Sequence, residues 1–592
     1  MILVLFCILS VSVSRTGHTT NDDATLSVSS ANYGVWQSTL ESAKSQGRVQ
    51  FFWGYPTLRV PYLIGTHSWY VFSKIFGIFL AIVALFFAVK SVSESEWLGS
   101  LSAAIFLLLL QNGWDHNAIT SYPFAFNAYL AAFLFSIAAH TYWIKTKRWM
   151  WAAASCMLFF YSLAIELFLL YLPVFVLVGY IRSSPPRKNT TSIFLLRIKE
   201  SINYSLPVTL SAIFYIGIYI IWRTMFPSGY DGNQIGELNV LSSLKVVFHY
   251  SINALPIYSV LFPFQEGTIA SLTGFSSIFG LLLEHPYPIV LKVIVGTLLL
   301  TSLFFGRRTP DITQTAMLTF TLILGVCIFL PNALLSLTER HRFWVSRGTH
   351  SYLYTYYSFS FFSAFLAFLL SSILTRFNNK FFSISFKILI ILLLASLSLL
   401  VEIRNTAFFK NQHLSLKKQL IFDDAVLGGF FADIPEGVEV FSQSLPKNHR
   451  GIAVLDTNYW TARVKQLTGK SNPLSLGTCG STFPCHSVEF HQSTWADVQY
   501  IYRISRSSPS EPARVRLWIS PAFSHPFALS GKFLKSDDMS ASISIGKNSI
   551  SFHKDVSDFI LNNIKVSAIN NRQYFEFSSS QPIEPDSIKI AF

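Results

Sequence analysis

Charged residues are scarce in this sequence. Asp, Glu, Lys and Arg make up 13% of its 592 residues, whereas 51% are hydrophobic, 16% are aromatic and the mean hydropathy is +0.43. Soluble globular proteins carry about 25% charged residues. The shortage excludes an ordinary soluble protein and predicts a polytopic α-helical membrane protein.

Cysteine is also rare, and no C-x-x-C metal-binding pattern is present among the five cysteines. Cys7, Cys156 and Cys327 lie in apolar stretches, where a thiol usually acts as a small hydrophobic group. Cys479 and Cys485 lie in a polar C-terminal region. In an oxidising compartment we expect these two to form a disulfide.

Acidic residues are fewer than basic ones, and the formal net charge is +14. In a soluble protein this excess would indicate nucleic-acid binding. Here the basic residues fall in short loops between apolar stretches, as the positive-inside bias of membrane proteins requires. We therefore expect membrane lipid, and no nucleic acid, as a partner.

Eleven apolar stretches approach the length of a membrane crossing. Stretch 1–13 has no basic segment before it, so a signal peptide or a truncated start are alternatives to the retained first helix that we favour. The stretches are 1–13, 70–89, 98–111, 124–143, 149–165, 168–181, 205–226, 286–305, 313–331, 353–375 and 384–401.

The loop charges orient these spans. With the N-terminus inside, every inner loop is short and basic. The outer segments are then 15–69, 112–123, 227–285, 332–352 and the whole C-terminus, and they hold most of the conspicuous polar residues. Segment 227–285 is broken by Pro and Gly, which favours re-entrant or surface helices over a further pair of spans.

Four acidic positions stand out on the outer side. Asp22 and Asp23 are adjacent carboxylates beyond the first span, and Asp115 lies beside His116 in the second outer loop. A divalent metal could be ligated by Asp22, Asp23, Asp115 and His116, although a role as solvated loop residues is the plain alternative. Glu166 lies within an apolar stretch, where a carboxylate is costly unless it faces a wet cavity or a partner.

Basic residues on the outer side could bind an anion. Arg48 follows Gly47, a predicted helix stop, and the loop 332–352 carries Arg340, Arg342 and Arg347 close to Tyr352. Guanidinium groups bind phosphate through paired hydrogen bonds, which suits a lipid phosphate or diphosphate. Contact with lipid headgroups or pairing with the outer acids is the alternative interpretation.

The composition changes after residue 401. Residues 402–435 keep a helical pattern and are predicted to form a connector, whereas 436–592 contain short alternating runs separated by polar turns. This pattern predicts an extracytoplasmic β-sandwich-like domain. The runs are 487–490, 498–504, 513–519, 541–545, 550–552, 565–569, 574–577 and 588–590.

Taken together, these features resemble the C-type (GT-C) integral-membrane glycosyltransferases, and most closely the bacterial phage-type glucosyltransferase II group. The resemblance covers residues 1–401. It is carried by the acidic pair after the first span, Gly47-Arg48, Tyr161-x-x-x-x-Glu166, the Arg- and Tyr-rich late outer loop and the C-terminal outer domain.

The resemblance implies a multi-pass protein of the bacterial inner membrane that moves a sugar from a polyprenyl-phosphate-linked donor. The acceptor would be a cell-surface glycan, lipid or protein. Asp22 or Asp23 would be the catalytic base of an inverting single displacement, with Asp23 slightly preferred. Arg340, Arg342 or Arg347, and Arg48, would bind the donor phosphate, while Asp115, His116, Glu166 and Tyr352 would shape the site.

No cofactor is required by this mechanism, and metal dependence stays open. The main rival is a polysaccharide polymerase or ligase acting on lipid-linked glycans. A lipid-linked sugar transporter is a weaker rival because the sequence shows no internal repeat and the acids lie at the outer rim. A non-catalytic scaffold with an adhesive β domain ranks third.

Overall fold

The fold is taken from a computed structural model of the whole chain. The structure describes all residues except 19–20, 113–116, 120, 183–189, 229–238, 257–279, 281–282, 284–285, 307–312, 348–352, 377–379, 444–456, 478–482, 493–498, 509–510, 521–526, 534–540, 546–547, 553–557, 565–566, 570–571, 582, 584–586 and 592.

Two compact units make up the chain. The helical unit contains Met1–Thr16, Gly34–Leu63 and Ser68–Asn411. The C-terminal unit contains Gly17–Tyr33, Ile64–His67 and Gln412–Phe592. The segment of 17–33, which includes Asp22 and Asp23, thus belongs to the same unit as the β-rich region. This grouping departs from the predicted boundary at residue 401, which the apolar pattern alone had set.

The described helices follow the apolar stretches closely, because a helix satisfies every backbone polar group within its own segment. Two 3-10 helices, Val60–Tyr62 and Glu166–Tyr171, occur between them. The α-helices are α1 Ile2–Ser14, α2 Asn21–Asn32, α3 Val35–Ser45, α4 Phe51–Arg59, α5 His67–Ser93, α6 Glu96–Leu109, α7 Ala125–Thr146, α8 Trp149–Ser162, α9 Leu172–Arg182, α10 Thr190–Met225, α11 Val240–Ile252, α12 Pro286–Phe305, α13 Gln314–Cys327, α14 Leu330–Ser336, α15 Glu339–Ser346, α16 Thr355–Leu374, α17 Lys380–Leu427 and α18 Thr457–Thr468.

Six stretches in the described residues are long and apolar enough to cross a membrane, which identifies a helical membrane protein. The other predicted spans coincide with shorter helices, such as α1 and α6, or with α7, which carries Asn127 and His140 in its interior. The six are His67–Ser93, Leu196–Met225, Tyr287–Phe305, Gln314–Ser336, Thr355–Leu374 and Phe381–Phe409.

Small residues let these helices approach closely. A Cβ atom on Gly77 of α5 would lie 2.9 Å from the Cα of Phe124, and one on Gly179 of α9 would lie 2.9 Å from the Oγ of Ser201. Both contacts are closer than side-chain packing allows. Glycine at these positions therefore permits the tight helix crossings that are common in membrane proteins.

The C-terminal unit contains two sheets in its described part. A nine-stranded sheet has the order β2-β1-β3-β4-β5-β11-β7-β8, with β10 paired to β11, and a three-stranded sheet has the order β12-β6-β9. Among the described strands, the parallel pairs are those of β1 with β2 and with β3. The strands are β1 Val440–Ser442, β2 Leu474–Leu476, β3 Cys485–Gln492, β4 Gln499–Arg506, β5 Ala513–Ser520, β6 Phe527–Lys532, β7 Ala541–Ile545, β8 Asn548–Phe552, β9 Asp558–Ile564, β10 Ser567–Ile569, β11 Arg572–Ser579 and β12 Lys589–Ala591.

Apolar cores cover both faces of the larger sheet around β5. On one face, Val515 and Leu517 of β5 share an apolar core with Leu529 and Phe559 of the smaller sheet. On the other face, Trp518 packs in a core with residues of α18 and of the end of α17. The predicted strand runs all overlap observed strands, but the sequence pattern did not reveal the helical layer.

The cysteines divide as their surroundings indicated. Cys7, Cys156 and Cys327 are free thiols. Cys485 is disulfide-bonded. Its predicted partner, Cys479, lies outside the described residues.

Candidate functional site

Glu166 lies in a small polar cluster of the helical unit. Its Oε1 is 3.5 Å from Nε of Arg48 and also accepts a hydrogen bond from Nε2 of Gln50. Arg48 and Glu166 side chains are 23% and 25% exposed, whereas Gln50 is fully buried. The carboxylate and the guanidinium side chains of this cluster are thus partly exposed. Sequence reasoning paired neither residue with Gln50.

Arg48 owes its position to the end of α3. Gly47 has a φ of +60°, and the backbone N–H of Arg48 donates to the carbonyl of Ala43. This left-handed residue ends the helix as glycine commonly does. The prediction that Gly47 stops the helix is therefore confirmed. Arg48 therefore lies beyond the end of the helix. Its guanidinium group is 5.6 Å from the centre of the Phe51 ring.

The C-terminal end of α9, which is the end away from Glu166, is basic. Glu166 begins the 3-10 helix that precedes α9, whereas Arg182 is the last residue of α9. Arg182 pairs with Glu94 at 3.2 Å, and Lys145 pairs with the same carboxylate at 2.5 Å. Hydrogen bonding from Lys145 keeps the pKa of Glu94 below its usual value. Segment 166–182 thus has an acidic residue at its start and a basic residue at its end.

The three late arginines lie on or next to the short helix α15. The guanidinium of Arg340 stacks on Trp344 at 4.6 Å, and that of Arg347 on Phe343 at 4.3 Å. Arg340 and Arg342 are half-buried, whereas Arg347 is exposed. Both guanidinium groups thus lie over an aromatic ring of the same short helix. Tyr352 lies outside the described residues.

The second outer loop is anchored by asparagine side chains. Nδ2 of Asn405 donates to the carbonyl of Leu110 at 2.8 Å, and its Oδ1 accepts from the N–H of Asn112 at 2.8 Å. Nδ2 of Asn117 donates to the carbonyl of Gln111 at 3.2 Å. The predicted site residues of this loop, Asp115 and His116, lie outside the described residues. Asn405 gave no signal in the sequence beyond being polar within an apolar helix.

Asp23 is completely buried in the C-terminal unit. It belongs to α2, which packs against α18, and its negative charge acts on Tyr459. Burial raises the pKa of the Tyr459 hydroxyl above its usual value, and Asp423 and Asp23 raise it further against the opposing effect of Arg463. Asp22 precedes it in α2, but its side chain lies outside the described residues.

Other buried polar groups complete this part of the C-terminal unit. Nδ1 of His18 and the hydroxyl of Tyr459 share a hydrogen bond of 2.7 Å. Two guanidinium nitrogens of Arg463 contact the two carboxylate oxygens of Asp423, with Nε 2.7 Å from Oδ1. Burial opposes the charge of Arg463, but the Asp423 carboxylate outweighs it and raises the arginine pKa. Asp23 is therefore one member of a connected, buried, charged network.

Within the described ranges, no group of three or more His, Cys, Asp or Glu side chains is arranged to hold a metal ion. The proposed metal ligands Asp115 and His116 fall in the gap 113–116, so their arrangement with Asp23 stays a sequence hypothesis.

No protein-family model matches this sequence, and neither does any curated protein.

Proposed function

We propose that this protein is an integral-membrane glycosyltransferase that uses a polyprenyl-phosphate-linked sugar. The observation that carries the proposal is the Arg48–Gln50–Glu166 cluster, a partly exposed carboxylate and guanidinium pair in the helical unit. It lies at the end of α9 opposite to the basic residue Arg182. Transfer from such a donor needs a base for the acceptor hydroxyl and cations for the departing phosphate.

The proposed reaction is a single displacement. The acceptor hydroxyl oxygen forms the new bond to the anomeric carbon while the bond from that carbon to the phosphate oxygen breaks. The hydroxyl proton passes to an aspartate, Asp23 or Asp22, and polyprenyl phosphate leaves as an anion. The acceptor in this proposal is a cell-surface glycan, lipid or protein, and the basic inner loops support a reaction on the outer side of the bacterial inner membrane. Inversion at the anomeric carbon follows.

In this scheme Arg340, Arg342 and Arg347 are candidates for the donor phosphate, together with Arg48. Arg347 is the most exposed of the late arginines. Because phosphate binding by arginine depends on paired hydrogen bonds, lysine at these positions is expected to bind the donor less well.

The test uses purified full-length protein with a polyprenyl-phosphate sugar, and it measures released polyprenyl phosphate and the anomeric configuration of the product. Asp22→Asn and Asp23→Asn are compared with Asp423→Asn, which removes another acid of the same buried network. Substitution of the aspartate that acts as the base should reduce turnover 100-fold or more, while the thermal stability of the protein is retained.

Three results would count against the proposal. Full turnover in both aspartate variants would remove the assigned base. A trapped sugar–enzyme intermediate would contradict single displacement. Equal losses of stability and activity in Asp23→Asn and Asp423→Asn would assign Asp23 a structural role.

A lipid-linked sugar transporter is the second candidate, and one ion pair favours it. Lys292 and Glu402 lie on two candidate spans, with Nζ 2.5 Å from Oε2 and side chains 1% and 4% exposed. Buried ionisable pairs in spans are frequent in transporters. Movement of a labelled lipid-linked sugar across vesicles without its consumption would favour this candidate, whereas polymer growth would favour a polymerase or ligase.

A further inference from the structure

An apolar cavity lies within the helical unit. It has a volume of about 60 Å³, is partly open, and is lined by side chains from α5, α7, α9, α13 and α16, including Val92, Ile137, Val178, Cys327 and Phe361. Every lining side chain is an aliphatic or aromatic group or the Cys327 thiol. A cavity of this kind offers water no hydrogen-bond partner and accepts hydrocarbon instead.

Two basic side chains lie near one end of this cavity. Arg182 follows the lining residue Val178 by one helical turn, and its guanidinium group donates to the carbonyl of the lining residue Val92. Lys145 and Arg182 converge on the single carboxylate of Glu94 at 2.5 and 3.2 Å. Among the described residues, the ion pairs of these two cations are with one carboxylate, so the group of three side chains carries a net positive charge. We call Lys145 and Arg182 the basic rim.

We propose that the cavity and the basic rim together bind one anionic phospholipid. An acyl chain enters the cavity between the helices, and the phosphate of the headgroup contacts Lys145 and Arg182. Because hydrocarbon surrounds the spans of a membrane protein, the molecules that can reach the cavity from the membrane are lipid acyl chains. The surplus charge selects an anionic headgroup over a zwitterionic one, because clustered Lys and Arg attract anionic lipids at the membrane surface.

This site is separate from the proposed catalytic face. Glu166 lies before the first residue of α9, whereas Arg182 of the basic rim is its last residue, and α9 is 11 residues long. The lipid bound here is therefore a resident membrane lipid and not the sugar donor. The inference does not depend on the proposed transferase activity, and its test measures binding alone.

The experiment measures lipid binding to the purified full-length protein by native mass spectrometry. Phosphatidylglycerol and phosphatidylcholine with the same acyl chains are titrated in parallel. We expect the protein to prefer phosphatidylglycerol at least fivefold. The double variant Lys145→Gln/Arg182→Gln should lose this preference, because each basic residue near the surface contributes about a fivefold gain in affinity.

Matched variants separate the two parts of the site. Lys199→Gln removes an exposed cation of α10, a helix that contributes no wall to the cavity, and should leave the preference intact. Ala364→Leu and Ala88→Leu narrow the cavity from two different helices, and each should weaken binding of both lipids. Using two positions keeps the test decisive if one variant does not fold.

The possible outcomes are distinct. Equal binding of the two lipids, or an unchanged preference in Lys145→Gln/Arg182→Gln, would overturn the proposal. Wild-type binding by both folded wall variants would also overturn it, because the chain would then lie elsewhere. Loss of preference in the rim variant together with weaker binding in the wall variants would establish the site.

Discussion

At the level of single residues, Glu166 offers a change of charge with little change of shape. In Glu166→Gln the amide oxygen can still accept the hydrogen bond from Gln50, while the ion pair with Arg48 is lost. Because both charged side chains are about a quarter exposed, the loss of stability should be about 1 kcal/mol or less.

We expect sugar transfer by Glu166→Gln to fall about tenfold or more, because a positioned charge matters more to the reaction than to the fold. Glu96→Gln is the control, since it removes a surface ion pair with Lys90 at 2.5 Å. Activity and thermal unfolding are measured side by side. A Glu166→Gln protein with the same turnover as Glu96→Gln would rule out a role for Glu166 in the site.

His486 predicts a dependence of stability on pH. Burial, together with the charge of Arg503, lowers its pKa from 6.5 to about 4, against the opposing effect of Asp433. The folded protein thus holds this ring neutral. Its stabilising contribution is complete above pH 6.5 and is lost as the pH falls towards 4, by at most about 3 kcal/mol.

The measurement is the thermal midpoint of the C-terminal unit between pH 7.5 and pH 4, in the full-length protein. His486→Gln keeps a polar side chain that can still bond to the hydroxyl of Ser505, now 2.9 Å from Nδ1 of the histidine. The variant should show a shallower fall in stability than the wild type across this window. Parallel curves would show that other groups account for the acid sensitivity.

At the level of elements, the contact between α17 and the loop after α6 makes a sharp prediction. Asn405→Ala removes both hydrogen bonds to Leu110 and Asn112 and leaves a buried carbonyl and N–H without their partner. Such a loss costs about 1–3 kcal/mol. Hydrogen exchange at Asn112 should accelerate, and thermal stability in detergent should fall.

Ser398→Ala is the control for this substitution. Ser398 is buried on the same helix, and its hydroxyl has no hydrogen-bond partner within the described residues. Its removal should be close to neutral. If Asn405→Ala exchanged at the same rate as the wild type at Asn112, the loop would be held by other contacts.

The elements also show what a sequence can reveal. The apolar stretches, the Gly47 helix stop and the alternating strand runs have local causes, so they were predictable from neighbouring residues alone. The Arg48–Glu166 contact joins residues far apart in the chain, and periodicity carries no information on which distant residues meet. The roles of Gln50 and Asn405 could not be predicted for the same reason, since these roles depend on tertiary partners.

At the level of the whole molecule, the position of residues 17–33 was the least predictable feature. A run beyond the first apolar helix reads as a membrane loop, yet it belongs with the C-terminal unit. The cause is a set of contacts that span most of the chain. The N–H of His18 donates to Oε1 of Gln419 at 3.1 Å, and Nε2 of Gln419 donates to the carbonyl of His18 at 3.0 Å.

The same segment should therefore contribute to the stability of the C-terminal unit. His18→Ala removes the hydrogen bond to the hydroxyl of Tyr459, a fully buried residue of α18, and should destabilise this unit by about 1–3 kcal/mol. Hydrogen exchange across Thr457–Thr468 in the full-length protein reports the effect. Thr16→Ala is the control, because its hydroxyl accepts from Lys74 within the helical unit, 2.9 Å away. Faster exchange in α18 for His18→Ala alone would show that residues 17–33 complete the C-terminal unit, whereas equal exchange in both variants would refute it.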